Sequence, residues 1–90
     1  MDEKIKFKII DVLKKNGIKK AGVIGSYAAG KQTKGSDIDI LIEFNGGLMD
    51  LVEIELELKK VLKRKVDLIT YGGINPLLKK KIIGEEIKIL

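Results

Sequence analysis

Residues 37–44 read Asp37-Ile38-Asp39-Ile40-Leu41-Ile42-Glu43-Phe44, and their alternation decides the fold. In an extended strand, successive side chains point to opposite faces. Ile38, Ile40, Ile42 and Phe44 therefore share one face; Asp37, Asp39, Leu41 and Glu43 share the other. The first is a core face. The second carries two carboxylates about 6.6 Å apart at Cα, twice the rise per residue. Asp39 interrupts an apolar run, where a lone charge costs free energy unless something pairs with it. Asn45-Gly46-Gly47 breaks the strand. Glu43, further along, reads as a surface residue.

Outward from this strand, a second one ends at Gly25-Ser26 and a third carries Asp67. Residues 19–25 (Lys19-Lys20-Ala21-Gly22-Val23-Ile24-Gly25) predict a strand, with Ser26 as the cap of a short helix over Tyr27 to Gly30. Glycine at such a junction lets a ligand approach the backbone. The amides of a helix start, with a serine hydroxyl, suit an anion. Lys31 to Gly35 is a polar loop whose Lys31 and Lys34 add positive charge. Val66-Asp67-Leu68-Ile69-Thr70 is another strand with a carboxylate in its middle. If this strand neighbours 37–44, three carboxylates meet. They repel, and a divalent cation relieves that penalty. A phosphate cradle and a carboxylate face one loop apart suit metal-assisted chemistry on a nucleoside triphosphate.

The remaining segments predict the helices around this sheet. Residues 3–16 repeat Ile5, Ile9 and Leu13 at helical spacing, with Asp2 as cap and Asn16-Gly17 as stop. Residues 48–64 contain an alternating stretch, Val52 to Leu58, that could be a strand. The stripe Leu51, Ile54, Leu58, Val61, Leu62 favours a helix, as do Asp50 and Glu53 at its start and Lys63 and Arg64 at its end. Val52 and Leu56 then lie off the stripe and offer apolar surface to a partner. Gly72-Gly73 turns the chain. Asn75-Pro76 starts a helix over Leu77 to Ile83, closed by Gly84. Glu86 to Leu90 reads as an edge strand. The order predicts an α/β (α+β) domain over residues 1–90, a mixed sheet of about four strands with helices packed on it.

Composition narrows the chemistry. The chain has 90 residues with no Cys, no His and no Trp, so disulfides, thiol nucleophiles, histidine bases and ordinary zinc sites are excluded. Any metal is oxygen-bound. The net charge of +5 suits phosphates, acidic proteins or membrane surfaces without choosing among them. No apolar run of membrane-spanning length is present and the first residues lack a signal-peptide pattern, so a cytoplasmic protein is expected. Aromatics at 4% make base stacking a poor prospect, and nucleic acid is not the expected partner.

Gly25-Ser26, ten residues, then Asp37-Ile38-Asp39, with Asp67 on a later strand, resembles the signature of the minimal nucleotidyltransferases of the DNA polymerase beta superfamily. Asn75-Pro76-Leu77-Leu78 through Glu85-Glu86-Ile87-Lys88-Ile89-Leu90 resembles that family's closing helix and strand. The resemblance implies that Asp37, Asp39 and Asp67 are catalytic and hold two Mg²⁺ ions. It also implies that Gly25 and Ser26 hold the triphosphate of ATP, and that a nucleotidyl group passes to a hydroxyl with release of pyrophosphate. Members of this size resemble the antitoxin half of HEPN/MNT toxin–antitoxin pairs. That implies a helical HEPN toxin as partner in a hetero-oligomer, neutralised by adenylylation, by binding, or both. Ala29 departs from the pattern, standing where members commonly carry Arg. Lys31 or Lys34 would supply charge there without the planar bidentate fork.

Overall fold

Local signals place the elements where their side chains can serve them. Asp2 opens α1 (Glu3–Lys15) by accepting the Lys4 amide at 2.7 Å, and Ile9, Val12 and Leu13 form its buried stripe. β1 (Ala21–Ile24) runs straight into α2 (Gly25–Ala29). β2 (Ile38–Ile42) follows the polar loop, and α3 (Leu48–Leu62) buries Ile54, Leu58 and Leu62. The alternating segment 52–58 is therefore helix; a strand would have left that stripe unburied. β3 (Val66–Thr70), a 3-10 turn (Tyr71–Gly73), α4 (Pro76–Glu85) and β4 (Ile87–Lys88) complete the chain. This computed structural model describes all 90 residues.

The four strands form one mixed sheet in the order β3-β2-β1-β4. β1 runs antiparallel to both β2 and β4, while β2 and β3 are parallel. A parallel pair needs a crossover, and α3 supplies it. α1 and α3 cover one face of the sheet. There Ile9, Val12, Leu13, Val23, Ile38, Ile40, Ile42 and Leu58 are at most 1% exposed. Each such side chain contributes about 1.5–3 kcal/mol on burial, the main favourable term in a domain this small.

The opposite face is the informative one. Across it run two rows in register: Ile24, Asp39 and Asp67; then Gly22, Leu41 and Ile69. Beyond them the Glu43 amide donates to the Lys20 carbonyl. The chain from Tyr71 to Glu86 lies over the far end. The Tyr71 hydroxyl donates to Glu86, whose carboxyl occupies the space where a side chain on Gly22 would sit. Lys20 Nζ lies 4.7 Å from the centre of the Tyr71 ring. Burial pushes the Tyr71 phenol above its usual range, as do the bond to Glu86 and the charges of Glu86 and Glu43. Leu41 is fully buried in this second, smaller apolar region, and Ile74 is buried outside the main core as well. Leu41 therefore does not belong to an exposed polar face, although alternation groups it with the aspartates.

Several expected boundaries differ: α1 and α3 stop at Lys15 and Leu62, β2 keeps only Ile38–Ile42 of 37–44, and β4 keeps only Ile87–Lys88 of 86–90. Ser26 does not cap α2: the helix begins at Gly25, two residues before the expected Tyr27, after extended Ile24 and with no side-chain cap. Gly84 does not close α4, which continues to Glu85 and stops where Glu86 turns extended. The first strand loses Lys19 and Lys20 because only Ala21 to Ile24 carry the ladder to β2. No helix is long and apolar enough to cross a membrane.

Candidate active site

The carboxylates meet at the end of the sheet where β1 finishes and β2 and β3 begin. Parallel pairing sets Asp39 directly beside Asp67, and antiparallel pairing sets Ile24 on its other side. Asp37 precedes β2 by one residue and acts electrostatically on Asp39. Asp39 is half-buried; Asp37 and Asp67 are exposed. Burial raises the Asp39 carboxyl above its ordinary value; so do the negative charges of Asp67 and Asp37 and a hydrogen bond with Asp67. Asp39 thus carries the cost of the cluster.

Gly25 is fitted to Asp39. It has φ of 72°, a conformation open to glycine and rare for other residues, and a Cβ there would overlap Asp39 Oδ2. The glycine permits both the turn from β1 into α2 and the contact with the carboxylate. Ser26 follows in the first turn of α2, where amides have no acceptor within the helix. The loop after Gly30 carries Lys31 and Lys34, both exposed. Lys34 lines a cleft with Gly35, Ser36, Asp37, Lys63, Arg64 and Lys65. The structure thus brings Asp37, Asp39, Asp67 and Gly25 together, with Ser26 adjacent.

No three acidic side chains stand close enough to enclose a cation by themselves. The donor set nonetheless suits Mg²⁺, which binds through one or two carboxylates, substrate phosphates and water rather than an all-protein cage. The upward push on Asp39 is the penalty such an ion would remove.

Supporting residues went unmarked in the sequence. Glu55 of α3 accepts the Leu68 amide at 3.1 Å and lies 3.6 Å from Lys59 Nζ. Lys65 O accepts from Ile38, so the Leu68 amide points to the open edge of β3, and Glu55 anchors that edge one residue from Asp67. Arg64 donates to the Tyr27 hydroxyl at 2.9 Å and ties the start of β3 to α2. Its being the single arginine was the available signal. Glu55 gave none, since it reads as one of several helix-surface acids.

Comparison with known proteins gives the family. The model of the nucleotidyltransferase domain family matches residues 7–90. MJ0435 of Methanocaldococcus jannaschii, which bears the name of a protein adenylyltransferase, is 50% identical over 88 residues, covering 96% of this chain and 95% of that protein. A toxin–antitoxin crystal structure with AMP-PNP contains a chain with TM-score 0.85 and 25% identity, covering 94% of this chain and 72% of that one. The complex of tri-AMPylated Shewanella oneidensis HEPN toxin with MNT antitoxin contains a chain of the same fold, at TM-score 0.80 and 21% identity, covering 100% of this chain and 72% of that one. With the family model spanning nearly the whole sequence and Gly25, Asp37, Asp39 and Asp67 gathered at one end of the sheet, the chain belongs to the minimal nucleotidyltransferase family.

Proposed function

We propose that this chain, acting as one domain in the cytoplasm, transfers AMP from ATP to a hydroxyl of a protein partner, a helical HEPN-type toxin, and serves as its antitoxin. The observation that carries this reading is the pairing of Asp39 with Asp67 across β2 and β3, with Gly25 pressed against Asp39. The names of its relatives support the activity, and the toxin–antitoxin structures of its fold support the partner.

Gly25 and Ser26 would hold the β- and γ-phosphates, with Lys31 and Lys34 adding charge. Asp37, Asp39 and Asp67 would hold two Mg²⁺ ions, which when bound supply charge neutralisation at the phosphates and a more acidic attacking hydroxyl. Asp67 would take the hydroxyl proton. The new bond joins the acceptor oxygen to the α-phosphorus. The bond from that phosphorus to the bridging oxygen breaks, and pyrophosphate leaves with the electron pair.

A second reading, neutralisation by binding alone, rests on the exposed apolar face of α3. Leu48, Met49 and Leu56 are 74%, 72% and 57% exposed, and Val52 is 37% exposed. Ala29, in place of the common Arg, points the same way. The two readings separate in a toxin-neutralisation assay with the double variant Asp37→Ala, Asp39→Ala. Loss of neutralisation by a variant that still binds the toxin supports transfer. Full neutralisation by that variant refutes it.

A further inference from the structure

A cleft of about 340 Å³ opens beside Asp37, between the loop ahead of β2 and the connection from α3 to β3. Lys34, Gly35, Ser36, Asp37, Lys63, Arg64 and Lys65 line it, with no hydrophobic side chain. Neither of the chain's ion pairs, Lys15 with Glu57 and Lys59 with Glu55, involves these cations. Arg64 is engaged by the Tyr27 hydroxyl, and Lys34, Lys63 and Lys65 are exposed. Asp37 is the one acidic side chain in the lining, against four basic ones, so the cleft keeps a positive excess that attracts a further anion.

Lys63 supplies an independent sign. It has φ of 54° and is the one residue other than glycine with positive φ. It follows the last residue of α3, where glycine is the usual choice. A cation there gains something from the negative end of the helix. Even so, a backbone conformation unfavourable to lysine is retained at the position that lines the cleft, and such outliers cluster at functional sites.

The topology says which reactant this cleft faces. The Gly25-Ser26 turn follows β1, Asp39 lies on β2, and Asp67 lies on β3 beyond it. In an in-line displacement the entering hydroxyl approaches opposite the departing pyrophosphate. With the triphosphate on the β1 side, the acceptor arrives from the β3 side, whose approach Lys63, Arg64 and Lys65 border. We infer that the side of this cleft formed by Lys63, Arg64 and Lys65 docks an acidic segment of the acceptor protein, so the chain selects hydroxyls flanked by Asp and Glu. This rests on the proposed transfer reaction and names its acceptor class. A protein acceptor is favoured over a nucleic acid because the lining holds no aromatic side chain on which bases could stack.

The test is fluorescence anisotropy with three labelled peptides of equal length. Each has a central tyrosine, flanked by acidic, uncharged or basic residues, and a single-stranded RNA of matching length is the fourth probe. The acidic peptide is expected to bind roughly tenfold tighter than the uncharged one, to weaken as salt rises, and to stay bound under saturating Mg·ATP. The variant Lys63→Gly, Lys65→Gln removes two cations and relieves the left-handed lysine. It is expected to bind the acidic peptide several-fold more weakly while its melting temperature holds or rises, which excludes loss of fold as the cause. Equal binding of acidic and uncharged peptides overturns the inference, as does unchanged binding by the variant. Tighter binding of the RNA would make the cleft a nucleic-acid surface, and displacement by Mg·ATP would make it part of the triphosphate site; either overturns it. Acidic-peptide binding without any AMP transfer would leave the docking cleft standing and remove the proposed chemistry.

Discussion

Two glycines of matching φ make a controlled experiment on the site. Gly25 and Gly30 have φ of 72° and 71°. A Cβ on Gly25 would overlap Asp39 Oδ2, whereas a Cβ on Gly30 meets nothing within 4 Å. Alanine at either position pays about 1–2 kcal/mol for the left-handed conformation. At Gly25 the Asp39 carboxyl must also rotate away, adding about 0.5–1.5 kcal/mol for an off-rotamer side chain. Gly30→Ala should therefore lose about 1–2 kcal/mol, and Gly25→Ala about 1.5–3.5 kcal/mol. The activities should diverge far more, because misplacing a reacting group by about 1 Å can cost on the order of 100-fold in rate. Urea unfolding measures the first quantity, and AMP transfer to the partner under saturating ATP measures the second. The double variant Gly25→Ala, Asp39→Ala should recover the stability of Gly30→Ala without recovering activity. Equal stability and equal activity of the two single variants would refute the reasoning, because Gly25 would then have no special relation to Asp39.

Other expectations follow from single contacts. The raised Asp39 carboxyl binds its proton more tightly in the folded chain than in the unfolded one, so its contribution to stability is present below the unfolded value of 3.8 and is lost as pH rises through the folded value. Asp39→Asn should therefore raise the metal-free melting temperature at neutral pH and abolish transfer; thermal melts in chelator that show destabilisation would contradict this. Glu55→Gln keeps an acceptor for the Leu68 amide and should retain most of the transfer rate. Glu55→Ala leaves a part-buried amide unpaired, at about 1–3 kcal/mol, and should slow transfer by loosening β3 beside Asp67. Matched kinetics for those two variants would remove Glu55 from the account. Leu41→Ala should cost about 2–5 kcal/mol by urea unfolding, a loss expected of a buried residue and not of an exposed one.

Much of this arrangement was legible in local pattern. The alternation of residues 37–44 announced a strand with acids on one face, and Asp67 marked its partner by interrupting an apolar run. The spacing of Ile54, Leu58 and Leu62 correctly outweighed the alternation of Val52 to Leu58, because only a helix buries that stripe. What local pattern missed depends on contacts between distant segments. Leu41 is buried on the face opposite the main core, the face crossed by the chain from Tyr71 to Glu86, and alternation carries no information about that crossing. Ser26 reads as a cap, yet Gly25 can take the turn itself and the helix starts there. Gly84 reads as a stop, yet its φ is not positive and the helix runs past it. The roles of Glu55 and Arg64 rest on single long-range hydrogen bonds, which no spacing rule anticipates.

Nucleotidyl transfer requires attack at the α-phosphorus, and the position of a label shows which phosphorus is attacked. Incubation of this chain with the proposed toxin partner, Mg²⁺ and ATP labelled at either the α- or the γ-phosphate should leave α-label on the partner and γ-label in released pyrophosphate. Asp39→Asn should lose both signals. Label reaching the partner from the γ position, or α-label transfer that survives Asp39→Asn, would contradict nucleotidyl transfer by this carboxylate cluster.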